Sequence, residues 1–169
     1  MKQALCFVAA ASLLAAAGPA WADAAARGET AGTAADFDFE HVSCTGAANE
    51  VRVVVSGVKQ SAGLIVADLY RNDPEGFLKR AGRVQQVRFA AKSPATAFCM
   101  KAPEAESYAI ALYHDENANK TLDKGAFGIP KEPFGISNNP KIRFGPPSMD
   151  ESLFAVAPDG ANVEIKLKN

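Results

Sequence analysis

Glu106-Ser-Tyr-Ala-Ile-Ala-Leu-Tyr-His114, followed at once by Asp115-Glu-Asn-Ala-Asn-Lys-Thr-Leu-Asp123, is the stretch from which the fold can be read. Its first half alternates. Tyr108, Ile110 and Leu112 share one face, and Ala109, Ala111 and Tyr113 share the other. A period of two is that of a strand, and a strand apolar on both faces lies inside a sheet. Its second half turns polar. Asp115, Asn117, Asn119 and Asp123 put oxygen donors at loop positions 1, 3, 5 and 9. Calcium takes six to eight such oxygens at about 2.3–2.6 Å. The stretch therefore predicts a strand feeding a loop that a hard cation can staple.

The same period recurs on both sides. Glu50 to Val58 alternates, with Val51, Val53 and Val55 on one side. A turn around Lys59 to Gly63 precedes Leu64 to Arg71, which is largely apolar on both faces and is expected to be central. Asn72 to Gly76 has the composition of a turn, and Phe77 to Ala81 adds at most one helical turn. Arg83 to Ala90 and Ala95 to Lys101 flank a Ser93-Pro94 break. Leu153 to Ala157 and Asn162 to Lys168 close the chain, the last with Val163, Ile165 and Leu167 inward. About seven short strands and no amphipathic helix of useful length predict an all-β chain, a single β-sandwich over 50–169. Residues 115–149 hold five prolines and four glycines and form one long loop. Loops of that length in a compact domain are functional or disordered, and the rigid residues here favour function.

Residues 1–22 have the pattern of a signal peptide. Lys2 is followed by an apolar run from Leu5 to Ala17, a Gly18-Pro19 break, and Ala20-Trp21-Ala22 as an A-x-A cleavage site. The run is shorter than the roughly 20 residues a spanning helix needs. Cleavage near Ala22 predicts a periplasmic or secreted protein with no membrane insertion afterwards. Residues 23–49 read as a flexible leader, with a candidate edge strand from Asp36 to Val42 carrying Phe37 and Phe39.

Lys and Arg total 18 against 19 Asp and Glu, a formal charge of −1. No Lys/Arg block exists in the linear sequence that could grip nucleic acid or anionic lipid. Removing the signal also removes Cys6 and leaves Cys44 and Cys99. An even pair in an oxidising compartment predicts a disulfide, with two separately buried thiols as the plain alternative.

Residues 108–119, Leu122-Asp123 and Gly128-Ile-Pro-Lys-Glu-Pro-Phe-Gly-Ile-Ser-Asn-Asn139 resemble the DUF2141 family, exported bacterial proteins of unknown function. Gly145-Pro-Pro-Ser148 fits the same family's closing motif. The resemblance covers roughly 51–168 and implies a transthyretin-like or immunoglobulin-like sandwich. It brings no activity. The family's loop often has Gly where this chain has Ala118 and Lys120.

Set against an EF-hand loop, Lys120 takes the sixth position, where Gly permits the sharp turn, and Ala126 takes the twelfth, where a bidentate Glu belongs. No helices flank the loop, so it is not an EF-hand. A calcium site here would need Asp115, Asn117, Asn119 and Asp123, helped by the Thr121 carbonyl, water, or Glu132 folding back. Two firm carboxylates and two amides imply weak binding, on the order of 10⁻⁴–10⁻³ M as in extracellular modules. Asp and Asn also cap turns through their own backbone, so a metal-free ladder would use the same letters.

The rest of the loop offers a candidate binding surface of His114, Lys131, Glu132, Ser137, Asn138 and Asn139 for an unknown ligand or envelope protein. The more economical expectation is that Phe127, Ile129, Phe134 and Ile136 pack the loop onto the sandwich. His114 with nearby carboxylates also suggests a hydrolase, but no G-x-S-x-G elbow is present, and a non-enzymatic protein is the expectation. His41 lies in the leader. Three readings follow, in order of preference: a calcium-assisted binding module, a purely structural envelope protein with a metal-free loop, and a hydrolase.

Overall fold

The computed structural model describes residues 44–143 and 145–169. The signal-like segment, the strand expected over 36–42, and His41 lie outside these residues. Among the described residues the chain forms eight strands, one short α-helix and two 3-10 turns, at Arg80–Gly82 and Ala126–Gly128. The strands are β1 (Glu50–Ser56), β2 (Leu64–Arg71), β3 (Arg83–Ala90), β4 (Ala95–Lys101), β5 (Ser107–Asp115), β6 (Phe134–Ile136), β7 (Phe154–Ala155) and β8 (Ala161–Lys166), and α1 (Met149–Ser152) precedes β7.

One sheet has the order β4-β1-β8, with β1 antiparallel to β4 and parallel to β8. The other has the order β3-β2-β5-β6, all antiparallel neighbours, and β7 pairs with the start of β5. The all-β sandwich follows from the inward faces of these strands. Val51, Val53 and Val55 meet Phe98, Met100, Val163 and Ile165 in one sheet, and Ile65, Ala67, Leu69, Tyr108, Ile110 and Leu112 in the other. All of these are buried in one cluster, so alternation in the sequence becomes a two-layer core. β2 is central, as its two apolar faces require. Its outer face carries Tyr70, which meets Phe77 edge-on at 5.5 Å and packs in a second cluster with Ala109, Ile136 and Met149.

Cys44 and Cys99 form a disulfide, with Cα atoms 5.3 Å apart. The bridge ties the segment before β1 to β4. The Glu50 carboxylate holds the same segment by accepting the N–H groups of Thr45 and Gly46 at 2.8 and 2.7 Å. β6 interrupts the segment 115–149, whose composition predicts one long loop. Three residues are too few to show a period, yet Phe134–Ile136 pairs with Ala111–Tyr113 and turns the far half of the long loop into a sheet edge.

Candidate functional site

β5 delivers Asp115 to the head of the loop, and close backbone packing buries it there. Gly63, at φ +74 just before β2, lies so close that a Cβ on it would sit 2.0 Å from the Asp115 carbonyl oxygen. The buried carboxylate then organises the next five residues. Its Oδ1 accepts the Asn119 N–H at 3.0 Å and its Oδ2 accepts the Lys120 N–H at 2.7 Å. Asn117 Oδ1 accepts the same Asn119 N–H at 3.0 Å, and Asn119 Oδ1 accepts the Thr121 N–H at 2.8 Å. These are side-chain-to-backbone turns of the kind Asp and Asn favour. Such a tight curl needs left-handed residues, found at Ala118 (φ 56) and Lys120 (φ 68). The sixth position thus takes the conformation expected of Gly, at a cost of about 1–2 kcal/mol for an L side chain.

Side-chain hydrogen bonds tie the far end of the loop back to the same turn. Asn117 Nδ2 donates to Asp123 Oδ2 at 2.8 Å, and Asn119 Nδ2 donates to Asp123 Oδ1 at 3.1 Å. Glu132 does fold back. Its Oε1 accepts the Glu116 N–H at 3.1 Å and its Oε2 accepts the Asp123 N–H at 3.0 Å, with the residue nearly buried. The Thr121 hydroxyl donates to Asn119 Oδ1 at 2.6 Å. The six residues singled out from the sequence therefore form one connected cluster, and Ala126 stands apart from it in solvent.

The donor atoms are all oxygens, the chemistry of a hard cation. A carboxylate bonded to an N–H keeps further lone pairs, so the turns leave coordination open. The carboxylates are nonetheless spaced apart by amides. Among the described residues, Cys44, Glu50 and Cys99 are the only three acidic, thiol or imidazole groups whose ligand atoms lie within 4.8 Å. That trio is no metal centre while the two sulfurs are bonded to each other.

The expected binding surface is corrected in several places. His114 is fully buried on the inner side of β5, with Nε2 2.7 Å from the Ala62 carbonyl oxygen and Nδ1 without a partner. Its ring faces no solvent. Ser137 is also fully buried. It accepts the Ile110 N–H at 2.9 Å and donates to the Ser152 carbonyl. Asn138 and Asn139 are exposed, but their amides tie the loop down, Asn138 to the end of α1 and Asn139 to β8. Asn138 donates to the Leu153 carbonyl, while Asn139 donates to the Glu164 carbonyl and accepts the Lys166 N–H. Of this set, Lys131 remains exposed, its side chain without a hydrogen bond or ion pair among the described residues, and Glu132 belongs to the loop cluster.

The packing expected of the loop's apolar residues holds for only half of them. Ile136 is buried and Phe134 half-buried, whereas Phe127 is 99% exposed and Ile129 64% exposed.

One polar cluster was hidden within an apolar-looking strand. Asp68 lies on the outer face of β2, nearly buried. Gln86 Nε2 donates to it at 2.7 Å, Tyr70 Oη donates at 3.4 Å, and Arg83 Nε lies 2.9 Å away as an ion pair without hydrogen-bond alignment. Burial pushes the Asp68 carboxyl above its ordinary value, although Gln86, Arg83, Tyr70 and Arg88 pull it down. The Tyr70 hydroxyl is raised as well, by burial and by the Asp68 charge. An acid inside Leu-Ile-Val-Ala-Asp-Leu-Tyr was the available signal.

Fold and loop together define a small all-β sandwich protein with an oxygen-rich loop leaving a central strand. Residues 53–166 match the family described as "Uncharacterized protein conserved in bacteria (DUF2141)", and the chain belongs to that family. The matched span covers most of β1, all of β2 to β8, and the whole loop. No curated protein and no solved structure matches the chain.

Proposed function

We propose that this protein is an exported, non-enzymatic binding module of the bacterial cell envelope whose 115–132 loop takes one calcium ion weakly and is ordered by it. The observation that carries the reading is the meeting of Asp115, Asn117, Asn119, Asp123 and Glu132 in one hydrogen-bonded cluster around a left-handed Lys120. The Thr121 carbonyl is the sixth donor. Export is supported by the signal-like first 22 residues and by the disulfide, a bond that persists in oxidising compartments.

Weak affinity follows from the same geometry. Asn117 and Asn119 turn their nitrogens toward Asp123, so coordination by all three exchanges two existing hydrogen bonds for metal contacts. At a calcium concentration about ten times Kd, the linkage adds about 1.4 kcal/mol of stability. For a domain of this size that is a rise of about 5 °C in melting temperature. Melting the chelator-treated protein with and without millimolar calcium tests this. An unchanged transition overturns the calcium reading.

The second reading is a structural envelope protein with a metal-free loop. One observation favours it: the amide and carboxylate groups of the ladder already satisfy one another and the backbone.

A further inference from the structure

Lys124 and Lys131 flank the base of a small hairpin inside the long loop. Lys124 pairs with Pro130 in an antiparallel bridge, the Gly125 N–H donates to the Ile129 carbonyl at 2.7 Å, and the Lys131 N–H donates to the Asp123 carbonyl at 2.8 Å. The tip carries Phe127 and Ile129, the two most exposed large apolar residues among those described. Phe127 also sits at φ 63, ψ 16, a region that a bulky aromatic rarely adopts. It is thus held out in water by a backbone it does not favour, and an outlier of this kind points toward function. No acidic residue lies between Lys124 and Lys131. Both lysines are exposed, and among the described residues neither forms an ion pair.

We propose that this hairpin docks the protein onto an anionic phospholipid surface, with Phe127 and Ile129 entering the interfacial layer and Lys124 and Lys131 resting against lipid phosphates. The linear sequence has no basic block. The fold supplies the pairing by bringing two lysines seven residues apart to opposite sides of one apolar tip. A bilayer suits two projecting side chains because it needs no matching pocket, and aromatic and aliphatic groups beside Lys are what interfacial binding uses. A specific protein partner needs roughly 800 Å² on each side, whereas only Phe127 and Ile129 project from this tip as large exposed apolar groups among the described residues. The hairpin is closed by its own backbone hydrogen bonds, so the inference does not require the calcium reading.

The test is co-sedimentation of the exported protein, with chelator present, using vesicles of phosphatidylcholine alone or mixed with phosphatidylglycerol. The expected result is partition into the anionic vesicles that weakens with salt. It should fall at least tenfold in F127A/I129A, and by about fivefold for each lysine in K124Q/K131Q. Both apolar side chains lie in solvent, so F127A/I129A should melt as the wild type does. Phe127→Gly, which relaxes the backbone, should lose binding in the same way. Absence of partition, or partition indifferent to these variants, overturns the proposal. So does self-association that F127A/I129A abolishes, which would assign the tip to a second copy of the chain.

Discussion

The carboxylate of Glu132 holds the backbone N–H of Asp123 at 3.0 Å across nine residues of loop, and its other oxygen holds the N–H of Glu116. One nearly buried side chain therefore clamps both ends of the oxygen-rich segment. Hydrogen bonds to a charged group contribute about 1.5–3 kcal/mol each, with partial recovery by water at this half-open site. Glu132→Ala is expected to cost about 2 kcal/mol in denaturant unfolding. Glu132→Gln should cost less, because one oxygen still accepts. A neutral Glu132→Ala would mean that the clamp is not formed.

Lys120 tests the loop's curvature without touching a donor. Left-handed backbone costs an L residue about 1–2 kcal/mol, while Gly adds about 0.5–1 kcal/mol of unfolded-chain entropy. Lys120→Gly should therefore be stabilising by about 0.5 kcal/mol, and Lys120→Val destabilising. Urea midpoints distinguish the two, and the reverse order would contradict the observed φ of 68.

Asp68 gives a pH dependence of unusual sign for a carboxylate. Its folded-state pKa is raised above the ordinary 3.8 by burial. Below 3.8 both states hold the proton, so there is no effect. Through the window above it, the unfolded chain releases a proton that the folded chain keeps, and stability falls as pH rises. Asp68→Asn, which cannot ionise, should flatten this part of the curve. Melting temperatures between pH 3.5 and neutral measure it, and a variant with the wild-type slope would exclude Asp68 as the source.

The Cys44–Cys99 bridge spans 55 residues. The chain-entropy model assigns such a loop about 4 kcal/mol, and measured values commonly fall below this. Replacing both cysteines with serine is expected to cost about 2–4 kcal/mol by chemical denaturation. The variant should stay folded, because the two-sheet core does not include Cys44.

Much of the sandwich was legible because burial imposes a period. Val163, Ile165 and Leu167 point inward as their alternation predicts, and β2 is central as its doubly apolar run requires. The oxygen ladder was legible from spacing alone, since Asx turns and cation loops both need donors at alternate positions. Polar residues carry no comparable mark of burial. His114 and Ser137 looked like surface groups, yet each is sealed by a backbone partner far along the chain, Ala62 and Ile110. Asp68 carries no sequence mark for the converse reason, a polar side chain among apolar neighbours whose partners Gln86 and Arg83 lie on the next strand. Phe127 read as a plug because apolar residues usually are buried, and only the hairpin's geometry shows it held out in solvent.

Titration calorimetry of calcium into chelator-treated protein reads the loop's metal site itself. One site is expected, with Kd on the order of 10⁻⁴–10⁻³ M, lost in Asp115→Ala and weakened in Asp123→Asn. No heat from the wild type at millimolar calcium, or identical heat from Asp115→Ala, would contradict the calcium reading and leave the ladder as a self-sufficient turn.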